Sequence, residues 1–129
     1  MEKVKIHFQM AISGENETNF ITDGTYFGSK IFFTDPEQYR YVVEYSHNQI
    51  RIERHGKTSM KLLLKKGETS TGDFTTQGLS FPFTVKTHYI LLSNQELSLS
   101  YDMLENDQVL THHEMKLKWI LHGRNEKND

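Results

Sequence analysis

Residues 3–12 read Lys3-Val4-Lys5-Ile6-His7-Phe8-Gln9-Met10-Ala11-Ile12, and the alternation in this stretch decides the fold class. Val4, Ile6, Phe8, Met10 and Ile12 fall on one face, and Lys3, Lys5, His7 and Gln9 on the other. A period of two marks a strand with one buried and one solvated side. Gly14-Glu15-Asn16-Glu17 then reads as a turn, and the pattern repeats along the chain. Thr18 to Phe27 is a second strand, with Gly24 as a bend or bulge. Lys30 to Thr34 is a short third strand, closed by Asp35-Pro36. Tyr39, Tyr41, Val43 and Tyr45 alternate with Arg40, Val42 and Glu44, and His47-Asn48-Gln49 turns the chain into Ile50, Ile52 and Arg54. Gly56 supplies the turn into Met60, Leu62 and Leu64.

Glu68 to Thr76 is Thr-rich and strand-like, and Gly78 breaks it. Phe81, Phe83, Val85, Thr87, Tyr89 and Leu91 set one face of a long strand, whose Pro82 suits an edge or a strand end. Leu97, Leu99, Tyr101 and Met103 form the next strand, and Met115, Leu117, Trp119 and Leu121 the last. This many strands at short spacing, with no sustained helical period, predict an all-β protein. A meander with one apolar face closes most simply as a single antiparallel up-and-down barrel, here of about 8–10 strands. Closure also removes exposed sheet edges. A short helical turn near Asp35 to Gln38 is left open. The barrel domain is expected over residues 1–121, with a polar tail over 122–129.

The chain has no cysteine, so disulfides, thiolate metal sites and thiol nucleophiles are excluded. Fifteen Lys and Arg against 17 Asp and Glu leave a net charge of −2, which exerts no global pull on nucleic acid or membrane. The N-terminal residues lack a continuous apolar signal segment, and no run approaches the ~18–20 apolar residues of a membrane span. A cytoplasmic location is the expectation.

The stretch from Arg54-His55-Gly56 through Met60, Gly67, Thr71, Phe74, Thr76, Gly78 and Thr87, closing with Ser100-Tyr101-Asp102-Met103, resembles the YwiB-like family of small bacterial proteins. The similarity runs from the first strand to the last. It implies a lipocalin-like (calycin) barrel and brings no catalytic residues. The Gly-x-Trp signature of secreted lipocalins is absent, since the one tryptophan, Trp119, lies on the last strand.

Candidate sites are few. Arg54 shares a register with Ile50 and Ile52, which points a guanidinium into the interior. A charge there needs a partner, and a guanidinium suits bidentate capture of a carboxylate. Thr87 and Tyr101 fall on inward registers and add hydroxyls. These three are the expected ligand-binding residues, for a small amphipathic or acidic molecule such as a fatty acid. The bland reading is a rim arginine that reaches water or pairs with a protein acid. His112-His113-Glu114 offers at most two ligands on one face, with His88 joining only if its strand is adjacent; no metal and no cofactor is expected. The alternative function is a packed interaction module, in which the basic hairpin 51–66 meets an acidic protein or nucleic acid. No serine elbow or phosphate loop is present, so catalysis has little footing.

Overall fold

The computed structural model describes residues 1–121 as ten strands closed into one antiparallel barrel. The strands are β1 (Glu2–Ile12), β2 (Thr18–Phe27), β3 (Lys30–Thr34), β4 (Arg40–Ser46) and β5 (Gln49–His55). They continue as β6 (Ser59–Lys65), β7 (Thr69–Thr76), β8 (Leu79–Ser93), β9 (Glu96–Glu105) and β10 (Gln108–Leu121). Every strand pairs with its sequence neighbours, and β10 closes on β1. The expected tail, 122–129, lies outside the described residues. Asp35 to Gln38 forms a turn rather than a helix. No helix among the described residues is long and apolar enough to cross a membrane.

The alternation read in residues 3–12 is realised in the β1–β10 register, where Ile6 faces Trp119 and Phe8 faces Leu117. Val4, Ile6, Phe8, Ile31, Val43, Ile50, Leu64, Leu97, Leu99 and Leu117 are buried in one continuous core. The two-residue turns Gln77-Gly78 and Asn106-Asp107 hold both residues at positive φ, between 51 and 77°. That is the hairpin geometry whose twist matches the flanking strands. Gly24 makes no bulge. Its register with Val4 and Phe33 is unbroken, and an added Cβ would lie 2.9 Å from Ile6 Cγ1 and 2.5 Å from the Phe32 carbonyl oxygen. The missing side chain lets β2 press against the interior.

Pro82 sits where the sequence placed it. It pairs with Asp73 of β7, and β9 begins to pair with β8 only at Thr84, so the missing N–H breaks no second ladder.

One expectation is corrected. Tyr89 and Leu91 do not continue the inward face of Phe83, Val85 and Thr87. The register slips between Thr87 and Tyr89, so that His88 is an extra residue and the alternation changes phase. Ile90 turns inward to the core, while Leu91 is 59% exposed. A bulge moves every later side chain to the opposite face. A second slip, between Val109 and Thr111, does the same on β10.

The two ends of the barrel differ. At one end the rings of Tyr26 and Tyr45 stack on Trp119, with centroids 6.4 and 5.8 Å away, and the two tyrosine hydroxyls hydrogen-bond at 3.0 Å. These side chains fill that end. The other end carries the β1–β2, β3–β4, β5–β6, β7–β8 and β9–β10 turns, and there the interior holds a cavity.

Candidate ligand cavity

The cavity has a volume of about 400 Å³. Its mouth lies between Thr18–Phe20 of β2 and the loop Asp35–Glu37. This gap follows from the short third strand: β3 pairs only with residues 24–27 of β2, which leaves the first half of β2 without a neighbour on that side. The loop is held rigid by Asp35, whose Oδ1 accepts the N–H groups of Glu37 and Tyr39, both at 2.9 Å. The floor is apolar, made by Phe8, Met10, Ile52, Met60, Leu62 and Met115.

Arg54 reaches this cavity from β5, with Tyr41 and Met60 as its cross-strand neighbours. Its guanidinium carbon lies 3.8 Å from the centre of the Tyr39 ring and 5.9 Å from that of Tyr41. Such contacts stabilise a cation without neutralising it. Among the described residues no carboxylate lies within ion-pair distance of Arg54. Its Nε is buried with no hydrogen-bond partner in the protein. Burial pushes the Tyr41 phenol up to about 12, with the charge and hydrogen bond of Arg54 pulling against that shift and those of Asp35 adding to it.

The geometry of the Arg54-His55-Gly56 turn has a local cause. A Cβ on Gly56 would lie 2.6 Å from Tyr39 Cε1, so only glycine leaves room for the ring on which Arg54 rests.

Tyr101 also lines the cavity, fully buried on β9 and stacked on His113, with centroids 4.6 Å apart and planes within 8°. Burial raises its pKa far above the ordinary phenol value. Thr87 is the cross-strand neighbour of Tyr101 and is equally buried, yet it stands outside the cavity lining. The structure therefore brings Arg54 and Tyr101 to one site and sets Thr87 beside it. His113 joins the lining, which the sequence reading missed. Its Nε2 meets Thr111 Oγ1 at 2.8 Å, and burial, reinforced by the His112 charge, pulls its pKa down to about 4. The signal was present: His113 alternates with Met115 and Leu117.

Buried polar atoms are nearly always hydrogen-bonded, so the exceptions are informative. Arg54 Nε, Thr87 Oγ1 and His113 Nδ1 are such exceptions among the described residues. Two of them line the cavity and the third is next to Tyr101.

A larger concavity, about 880 Å³, runs over the outer face of β2–β5 between Lys3, Thr25, Phe32, Arg40 and His55. It is an open groove with no unsatisfied buried polar group among its lining.

The basic hairpin 51–66 is laced with acids once folded. Arg51 lies 3.7 Å from Glu44, and Lys61 stands between Glu53 and Asp73 in the ladder. Tyr41 and Tyr45 pack against the core rather than facing outward.

On the outer wall His88, Asp102 and His112 come together from β8, β9 and β10. His112 Nδ1 meets Asp102 Oδ1 at 2.7 Å, and His88 Nε2 meets Asp102 Oδ2 at 2.8 Å. Burial works to raise the Asp102 pKa, but the hydrogen bonds from His112 and His88 outweigh it and hold the carboxyl below its ordinary value. The Asp102 hydrogen bond raises the pKa of His112 in turn. Sequence spacing offered the pair His112 and Glu114, which do meet, at 3.2 Å, with His88 to join if its strand were adjacent; β9 stands between the two strands, and its Asp102 bridges the histidines.

No curated protein matches the sequence. The barrel is similar to the crystal structure of the ywiB protein from Bacillus subtilis, with a TM-score of 0.74 and 17% sequence identity over 93% of this chain and 92% of that one. At that identity the likeness concerns the fold. The family model described as "Domain of unknown function (DUF1934)" matches residues 4–117, and the chain belongs to that family.

Proposed function

We propose that the chain is a binding barrel for a small amphipathic molecule with one acid group. The apolar part lies on Phe8, Met10, Ile52, Met60 and Met115, and the acid meets Arg54. The observation that carries this reading is a buried Arg54 Nε without a partner, on a guanidinium held over Tyr39, in a largely apolar cavity of about 400 Å³. Small-molecule sites are commonly about 300–1,000 Å³, apolar, with a few placed polar groups. Glu15 and Glu37 at the mouth disfavour ligands with several negative charges.

The hairpin 51–66 draws less support as a docking face, because Glu44, Glu53 and Asp73 interleave with its cations.

The first test is native mass spectrometry of gently purified protein against its denatured mass, where an extra mass lost on denaturation is expected. Decanoate and decanol then serve as defined probes in titration calorimetry. Decanoate should bind more tightly than decanol, and Arg54→Ala should weaken decanoate by about tenfold or more, about 1.4 kcal/mol, while leaving decanol unchanged. Equal binding of the two probes, or an Arg54→Ala protein with full affinity for decanoate, would overturn the proposal.

A further inference from the structure

We propose that His88, Asp102 and His112 form a binding site for a divalent first-row transition-metal ion of the zinc class on the outer wall of the barrel. One potential ligand atom from each residue lies within 4.8 Å of the others. The residues come from three successive strands, and the barrel itself fixes their spacing. Asp102 and His112 are cross-strand partners on β9 and β10. His88 is the extra residue of the β8 bulge, between the Thr87–Tyr101 and Tyr89–Ser100 pairs, and its ring reaches Asp102 on the outer face. Bulges recur where a side chain must be re-aimed.

The donor set suits the ion. Two imidazole nitrogens and a carboxylate oxygen match zinc, nickel or cobalt, whereas magnesium and calcium take oxygen ligands. Three protein ligands with water completing the shell is a common arrangement for zinc. Solvent reaches the place, since the His88 and His112 side chains are 38% and 41% exposed while Asp102 is 12% exposed. Donor atoms around a tetrahedral zinc stand roughly 3.3 Å apart, given bonds of about 2.0–2.1 Å. The present contacts, 2.7 Å to Asp102 Oδ1 and 2.8 Å to Asp102 Oδ2, put the carboxylate between the two rings, so both must open to admit an ion.

Glu114 supplies an independent indication. Its Oε2 sits 3.2 Å from His112 Nε2, on the ring atom that faces away from Asp102. Metal-binding histidines characteristically donate their second ring N–H to a carboxylate, which fixes the tautomer and the ring direction. Lys86 stands opposite Asp102 across β8 and β9, and its charge opposes the ion.

The test uses untagged protein and the metal alone. Titration calorimetry with Zn²⁺ should give one site per chain, with no comparable response to Mg²⁺ or Ca²⁺. His88→Gln and His112→Gln should each weaken Zn²⁺ at least about tenfold, and Glu114→Gln by about 10–100-fold at most. His55→Gln, which alters the separate His55–Glu53 pair, should leave the affinity unchanged. Paramagnetic Co²⁺ should broaden the imidazole resonances of His88 and His112 before those of His7, His47 and His55. Thermal melts check that each variant folds; should His112→Gln fail that check, His88→Gln and the Co²⁺ broadening decide. No Zn²⁺ site, a site that survives His88→Gln, or broadening that begins elsewhere would overturn the proposal.

Discussion

Arg54 is held over the Tyr39 ring because Gly56 carries no side chain. Gly56 thus supports the position of Arg54 while standing outside the cavity lining. In Gly56→Ala the new Cβ meets the Tyr39 ring, and the ring must move off the guanidinium. Overpacking of this kind costs about 1–3 kcal/mol. Urea denaturation should show that loss, and decanoate binding should fall with it. Thr87 poses the opposite case. Its hydroxyl is buried with no partner, so Thr87→Val removes an unsatisfied group at nearly constant shape. Stability should hold or rise by up to about 1 kcal/mol. Decanoate affinity should stay the same, because Thr87 is outside the cavity lining. At this scale the sequence was legible wherever one strand's alternation sufficed. Arg54 and Tyr101 turned inward as their registers required. The lack of a carboxylate paired with Arg54 was not legible, because it depends on where carboxylates from other strands finish.

Among the elements, β8 and β10 matter most. Each contains a register slip, and the two slips leave His88, Asp102 and His112 on adjacent strands with their side chains in contact. On the inner side of the same strands stand Thr87, Tyr101 and His113. One three-strand segment thus carries a polar cluster on each face of the wall. Nothing in the residues 85–91 announces a bulge: no glycine or proline marks it, and the apolar residues Tyr89 and Leu91 favour uninterrupted alternation. The bulge is settled by pairing with β9, which the local pattern does not contain. The closed end depends on β10 in another way. Trp119 is 4% exposed and receives both Tyr26 and Tyr45. Trp119→Ala should cost about 3–5 kcal/mol, read as a lower denaturation midpoint, while Arg54 at the far end keeps its environment.

Across the whole molecule, buried tyrosines tie the barrel to alkaline pH. Burial raises Tyr41 and Tyr45 to about 12, with the Tyr26 hydrogen bond contributing at Tyr45, and it raises Tyr101 further. The sign follows from linkage: a phenol whose folded pKa lies above its unfolded value contributes stability that is complete below the unfolded pKa, about 10. That contribution is lost as pH climbs from there through the folded value of about 12. Chemical denaturation between pH 8 and pH 12, as an approximate window, should show a plateau followed by a steep fall beginning near pH 10. Tyr41→Phe should soften the fall, and a stability that stays flat across the window would contradict the burial of these phenols.

The sequence by itself determined the strands, the closed meander and the inward faces up to the β8 register slip. Each rests on local alternation and turn chemistry, which a period of two makes readable residue by residue. Tertiary structure alone decided that the third strand is too short to cover β2, so that a mouth opens beside Asp35. It also decided that one end is filled by Tyr26, Tyr45 and Trp119 while the other keeps a cavity, and that His88 meets Asp102 and His112. These depend on barrel stagger, bulge placement and the summed volume of side chains from distant strands, quantities that no single strand's pattern contains.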